Sequence, residues 1–95
     1  MSDVARLQQA IAVFVEAREW GQFHTPRNLI LALVGEVGEL AAEVQWVGES
    51  DVAGSEALEM ELADVAIYLL RLADVLGVDI VAAGNRDGDK GVTFR

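Results

Sequence analysis

GEVGELAAEVQW, residues 35–46, sets acidic residues inside a run that is otherwise mostly aliphatic. Glu36, Glu39 and Glu43 follow one another at steps of three and four residues. Such steps place side chains on one face of a helix. The stretch therefore predicts a long helix that carries a row of carboxylates, and the chemistry of that row is the first question about function.

Helical periodicity extends to both sides of this stretch. Apolar residues recur every three or four positions near the N-terminus, and Thr25 followed by Pro26 is typical of a helix start. Gly48 and the polar residues after it end the second helix, and Asp79 is a suitable cap for a short fourth helix. We therefore predict helices over about residues 3–20, 26–47, 56–77 and 80–83.

The last twelve residues differ in composition from the rest of the chain. Residues 84–95, GNRDGDKGVTFR, are rich in Gly and Asp and have no apolar period. Loops and frayed ends have this composition. We predict a single helical domain over residues 1–84 and a flexible C-terminal tail over residues 85–95.

The chain is unusually apolar for its size. It has 95 residues, of which 53% are hydrophobic, and a chain this short buries only part of its surface when it folds alone. Self-association would cover the excess apolar surface. We therefore predict an all-α fold, in which the second and third helices form an antiparallel hairpin and the subunits build an oligomeric core of the four-helix-bundle type.

The charge of the chain excludes several classes of partner. Its 16 acidic and seven basic residues give a net charge of -9, which repels nucleic acid polymers and anionic membranes. The sequence has no Cys, as is common in a reducing compartment. It has neither the basic start of a secretion signal nor an uncharged run of roughly 20 residues. We expect a soluble, cytoplasmic protein that binds neither nucleic acid polymers nor membranes.

A second acidic pair lies in the third predicted helix. Glu61 and Asp64 repeat the three-residue step of Glu36 and Glu39. Because the connection between the second and third helices is short, the hairpin brings the two pairs together. Four adjacent carboxylates in an apolar setting repel one another, and a divalent cation removes that repulsion. With oxygen ligands, no Cys and a single His, Mg²⁺ is the first candidate and Mn²⁺ the second.

A solvated acidic face is the alternative interpretation. Acidic residues three positions apart most often face water. Two features favour a metal site here: the pairs are embedded in apolar sequence, and few basic residues are near them. Glu43 is an additional candidate for a metal ligand or for a residue that supports one.

The residues around both acidic pairs resemble a known family. REWGQFHTPRNLILALVGEVGELAAEVQW and ELADVAIYLLRLADVLGVDI resemble the MazG-like all-α nucleoside triphosphate pyrophosphohydrolases, in particular their dCTP pyrophosphatase branch. The resemblance covers about residues 16–80. The ExxE and ExxD motifs of that family are matched by Glu36, Glu39, Glu61 and Asp64.

This resemblance implies a reaction. The family uses such carboxylates to bind Mg²⁺ and cleaves a nucleoside triphosphate between its α and β phosphates. By resemblance, Glu36, Glu39, Glu61 and Asp64 are metal ligands, and Glu36 or Glu39 is also the catalytic base. The implied substrate is dCTP or a modified pyrimidine deoxynucleotide, the implied role is sanitation of the nucleotide pool, and the implied assembly is a tetramer, with a dimer as the alternative.

The resemblance also implies a pocket for the base and sugar. Aromatic faces stack on nucleobases, and polar side chains read their edges. Core packing is the alternative role for Trp20 and Tyr68. The matching positions are Trp20, His24, Asn28, Trp46 and Tyr68.

The C-terminal segment departs from the family. Relatives continue their fourth helix into a basic segment with a Tyr-Pro pair, and this pair is absent after Ile80. Asn85, Arg86 and Lys90 are what remains of such a segment. The alternative function is therefore a non-catalytic, nucleotide-binding or regulatory helical oligomer.

Overall fold

The computed structural model describes residues 1–89, and helices account for most of them. No strand occurs among these residues, which confirms the predicted all-α class. Two short 3₁₀ turns, Gly21–Phe23 and Glu49–Asp51, lie in the connections on either side of the second helix. The helices are α1 (Asp3–Ala17), α2 (Pro26–Val44), α3 (Glu56–Leu76) and α4 (Ile80–Asp89).

Side-chain caps define where the helices begin. The Thr25 hydroxyl accepts a hydrogen bond from the Asn28 N–H at 3.2 Å, and the Asp79 carboxylate accepts one from the Ala82 N–H at 3.0 Å. Each bond satisfies a backbone donor that the first helical turn leaves free. Both predicted caps are confirmed. At the other end of α3, Gly77 has φ 67°, a left-handed conformation that glycine adopts without strain.

Three predicted helix ends differ from the structure. α1 ends at Ala17 and α2 at Val44, each about one turn earlier than predicted. α4 continues to Asp89 instead of ending at Ala83. Gly84 costs α4 only about 1 kcal/mol relative to Ala, and Arg86 in its last turn interacts favourably with the helix dipole.

The predicted tail is therefore helical over its first residues. Residues 85–89 belong to α4, and residues 90–95 lie outside the described part of the chain. The division into a domain over residues 1–84 and a tail over residues 85–95 remains a prediction.

α3 is the element against which the other long helices pack. α2 and α3 form the predicted hairpin, and α1 crosses α3. The side-chain amide of Gln8 on α1 donates to the carbonyl oxygen of Leu70 on α3 at 2.9 Å. The buried apolar side chains come from all three helices: Ile11, Val15, Leu29 and Ala73.

Much of the apolar surface of the hairpin remains exposed in the single chain. On α2, Leu31 is 63% and Val34 64% exposed, and on α3 Met60 is 59% exposed. The buried core is correspondingly small among the described residues. None of the described helices combines the length and the apolar composition that crossing a membrane requires.

Candidate metal and nucleotide site

The α2–α3 hairpin brings three of the predicted metal ligands together. One carboxylate oxygen from each of Glu36, Glu39 and Glu61 lies within 4.8 Å of the other two. Asp64 follows Glu61 by one turn of α3, and its charge acts on the carboxyls of both Glu36 and Glu61. The structure therefore gathers Glu36, Glu39 and Glu61, with Asp64 close enough to influence two of them. We call these four residues the acidic cluster (Glu36, Glu39, Glu61 and Asp64).

Two oxygens of the acidic cluster are buried without a partner. The Oε2 atoms of Glu36 and Glu61 are shielded from solvent and accept no hydrogen bond from the described residues. A shielded carboxylate oxygen without a partner is costly, because desolvation disfavours its charged form. A bound proton or cation would therefore stabilise these oxygens.

The pKa values of Glu36 and Glu61 also favour a bound proton or cation. Burial raises the pKa of the Glu36 carboxyl, and the charges of Glu39 and Asp64 raise it further. Burial also raises the pKa of Glu61, followed by the charges of Glu39 and Glu36. Both carboxyls retain protons more readily than exposed ones do, and a bound cation would reverse that preference.

The donor set of the acidic cluster fits Mg²⁺ or Mn²⁺. Every donor is a carboxylate oxygen, a hard ligand of the kind these ions prefer. His24, the single histidine of the chain, is not part of the group. Glu43 is exposed on α2 and is not among the gathered residues either.

An apolar cavity of about 370 Å³ lies between α1, the connection after it and α3. Three of the predicted base-binding residues line it: Trp20, His24 and Tyr68. We call it the apolar cavity. The remaining lining residues are Ala10, Ile11, Phe14, Val15, Ile67 and Arg71.

Trp20 is held at the cavity by neighbours on α1. Its ring meets the Phe14 ring edge to face, with centroids 5.6 Å apart, and the Arg18 guanidinium lies 3.4 Å from the Phe14 centroid. Trp20 is 45% exposed. It is therefore a residue of the cavity wall and not of the core, whereas Tyr68 is half-buried.

His24 is fixed by a residue that the sequence did not single out for the site. Arg71 Nε donates a hydrogen bond to His24 Nδ1 at 3.1 Å. Burial lowers the pKa of His24, and the charge of Arg71 lowers it further. Arg71 follows Tyr68 by three residues on α3. This spacing puts both side chains on one helix face, so the sequence could have indicated Arg71 as a site residue.

The structure leaves two of the predicted base-binding residues outside the cavity. The Asn28 side-chain amide donates to the carbonyl oxygen of Phe23 at 3.0 Å, which ties down the turn before α2. Trp46 lies just past the end of α2 and is 88% exposed. Neither lines the apolar cavity, and their roles remain predictions.

The fold and the acidic cluster together define a class. The MazG nucleotide pyrophosphohydrolase domain matches residues 24–90, most of the chain. The chain belongs to this family of nucleotide pyrophosphohydrolases, as its motifs predicted.

Individual relatives agree with this assignment. The chain is 49% identical to dCTP pyrophosphatase 1 of Homo sapiens over 90 residues, which cover 87% of this chain and 51% of that protein. It is 46% identical to the Rattus norvegicus protein of the same name, with the same coverage of both chains. The chain thus spans about half the length of these curated relatives.

A solved structure shares the whole fold. The crystal structure of a pyrophosphatase from Archaeoglobus fulgidus matches with a TM-score of 0.86 and 34% identity. The match covers 96% of this chain and 90% of that one. The similarity therefore includes all the long helices, and with them the frame of the acidic cluster.

Proposed function

We propose that this protein is a Mg²⁺-dependent pyrophosphohydrolase that cleaves a deoxynucleoside triphosphate to the monophosphate and pyrophosphate. dCTP or a modified pyrimidine deoxynucleotide is the preferred substrate, and sanitation of the nucleotide pool is the role. The observation that carries the proposal is the pair of shielded, unpartnered oxygens of Glu36 and Glu61 inside the acidic cluster. The similarity to two dCTP pyrophosphatases supports the choice of base.

The acidic cluster is where the triphosphate would react. Glu36, Glu39, Glu61 and Asp64 would hold Mg²⁺, with Mn²⁺ as the second candidate. A bound cation supplies charge neutralisation on the phosphate oxygens and makes a nearby water more acidic. Glu36 or Glu39 would accept the proton of the attacking water. The water oxygen would bond to the α-phosphorus as the bond from that phosphorus to the bridging oxygen breaks, and pyrophosphate would leave with the electron pair of the broken bond.

The apolar cavity is where the base would lie. Its volume of about 370 Å³ falls in the range of small-molecule sites. Tyr68 on the cavity wall follows Asp64 by four residues of α3, a rise of about 6 Å along the helix. Cavity and acidic cluster are therefore close enough for one nucleotide to occupy both.

The assembly we propose is a homo-oligomer, with a tetramer favoured and a dimer as the alternative. The exposed apolar side chains of α2 and α3, such as Leu31 and Met60, support it, because a stable monomer rarely leaves such surfaces uncovered. Trp46 at the end of the hairpin would then complete a neighbouring subunit's nucleotide site. We place the protein in the cytoplasm, with no nucleic acid polymer or membrane as a partner.

The test is pyrophosphate release from a panel of canonical and 5-modified deoxynucleoside triphosphates, with Mg²⁺ and with EDTA. The expected result is magnesium-dependent release that is fastest with a cytosine nucleotide. Absence of release from every substrate, in a protein that Mg²⁺ and dCTP together still stabilise against heat, would contradict the proposal. It would favour the alternative of a non-catalytic nucleotide-binding oligomer, for which the missing Tyr-Pro pair is the sequence argument.

A further inference from the structure

The contact between Arg71 and His24 determines where the histidine carries its proton. An arginine Nε always bears a hydrogen and never accepts one. Because Arg71 Nε donates to His24 Nδ1 at 3.1 Å, that ring nitrogen must offer its lone pair. The remaining proton of a neutral imidazole is then on Nε2. His24 is therefore a neutral ring with a donor at Nε2.

The position of this donor gives it a use. Both His24 and Arg71 line the apolar cavity, and the His24 ring makes no second hydrogen bond to residues 1–89. Its Nε2–H is the nitrogen left for a ligand. A polar group in an apolar wall discriminates strongly, because a ligand that cannot pair with it leaves a buried donor unsatisfied.

Arg71 is itself held in place. Its side chain is only 16% exposed, and its guanidinium lies 3.9 Å from the Asp74 carboxylate. Covering the Arg71 charge costs free energy of desolvation, and the neutral His24 ring offsets little of it. A role in fixing His24 would account for this arrangement. The other charged or titratable groups around the pair are Glu16, Arg18, Glu19 and Tyr68.

We propose that Arg71 is a positioning residue that fixes His24 as an Nε2–H donor toward the nucleobase, so that the cavity selects a base edge that presents an acceptor. This inference rests on the proposed function, since it assigns the base contact of the same site. Cytosine offers two adjacent acceptors, its O2 carbonyl and N3. The charge and the hydrogen bond of Arg71 both disfavour the imidazolium form of His24, in which Nδ1 would carry a proton facing the guanidinium.

The first part of the test reads the histidine directly and needs no turnover. The chain contains one His, so ¹⁵N NMR of the nucleotide-free protein reports its two ring nitrogens without overlap. The wild type should show a bare Nδ1 and a protonated Nε2, and its imidazole should titrate below the ordinary range. Arg71→Met should mix the tautomers and move the titration to higher pH. A protonated Nδ1 in the neutral wild type would overturn the proposal.

The second part measures recognition with dCMP as the probe. Arg71→Met should weaken dCMP binding by about threefold to tenfold, the loss of one oriented hydrogen bond, and Arg71→Lys should recover part of it. Arg6→Met, which removes an exposed arginine paired with Asp3, is the matched control and should leave binding unchanged. Unchanged binding in both Arg71 variants, with the helical fold retained by circular dichroism, would contradict the proposal.

A double-mutant cycle separates positioning from direct contact. If Arg71 acts through His24, Arg71→Met should cost little further dCMP affinity in a His24→Phe background. Additive losses would mean that Arg71 contacts the base itself and would overturn the positioning role. Failure of the proposed function is a separate result: it would appear as a wild type that binds dCMP but releases no pyrophosphate from dCTP.

Discussion

The acidic cluster and the apolar cavity both include residues of α3, but they are built in opposite ways. In the cluster, the shielded oxygens of Glu36 and Glu61 have no partner in the described chain. In the cavity, Arg71 already pairs with His24. The first region needs an ion to be satisfied, whereas the second is organised before any ligand arrives. This difference fits our proposal that metal binding governs the chemistry and that the cavity governs the choice of base.

Removal of a carboxylate from the cluster should have the largest effect. Glu39→Gln and Asp64→Asn should each lower pyrophosphate release from dCTP by at least about a hundredfold, since even residues that only support a metal ligand cost ten- to a hundredfold. Neither change removes volume, so the helical circular dichroism should be kept. Glu56→Gln, at an exposed position in the first turn of α3, is the control. Full activity in both cluster variants would show that the acidic cluster is not needed for hydrolysis.

Metal removal should change the dependence of stability on pH. Without metal, the raised pKa values of Glu36 and Glu61 mean that the folded protein keeps protons that the unfolded chain has lost. Stability from these groups is therefore present at low pH and is lost as pH rises above the ordinary value of 4.5. Because Mg²⁺ binds the ionised carboxylates, its stabilising effect should grow over the same range.

Thermal unfolding measured with Mg²⁺ and with EDTA between pH 4 and 8 checks this. At a hundredfold excess over Kd, Mg²⁺ should raise Tm by about 10 °C near neutral pH and by much less at the acid end. Glu36→Gln combined with Glu61→Gln should flatten the pH dependence seen in EDTA. A magnesium effect that is the same at every pH would contradict the assignment of these carboxyls.

Truncation of the cavity aromatic should affect binding more than chemistry. Trp20→Ala should raise KM for dCTP by about tenfold, because stacking of one base is worth roughly 1–3 kcal/mol, with a smaller change in kcat. Steady-state kinetics on dCTP measures both constants. Val13→Ala, on the exposed side of α1, should change neither. A fall in kcat with KM unchanged would place Trp20 in the chemistry instead of the base site.

Substitution of Trp46 should have the smallest effect on the chemical step. If a neighbouring subunit uses it, Trp46→Ala should raise KM by a fewfold and reduce the preference for cytosine over the other bases. Rates on the four canonical deoxynucleoside triphosphates before and after the change measure this. Identical base preferences would remove Trp46 from the nucleotide site and would fit its exposure in the single chain.

The acidic cluster was far easier to predict than the cavity. Glu36 and Glu39 are close in sequence, as are Glu61 and Asp64, and a short connection makes the hairpin that joins the pairs. Helical periodicity and the cap at Thr25 likewise predict the helices from residues that are close in sequence. All of these are local signals, and a local signal can be read without knowing how distant elements pack.

The cavity depends on packing that local patterns do not encode. Arg71 meets His24 across 47 positions of sequence, and the cavity that they line exists only because α1 and the connection after it pack against α3. Asn28 matches the family's base site, and the bond from its side chain to the Phe23 carbonyl was likewise not predictable from a local pattern. The length of α4 was missed because Gly-rich sequence has weak helical propensity.

The most direct test of the proposed function is ³¹P NMR of dCTP incubated with the wild-type protein, first in EDTA and then after addition of Mg²⁺. We expect no change in EDTA, followed by equal amounts of dCMP and pyrophosphate once Mg²⁺ is present. Cleavage in EDTA, or formation of dCDP and orthophosphate, would contradict a metal site at the acidic cluster that directs hydrolysis between the α and β phosphates.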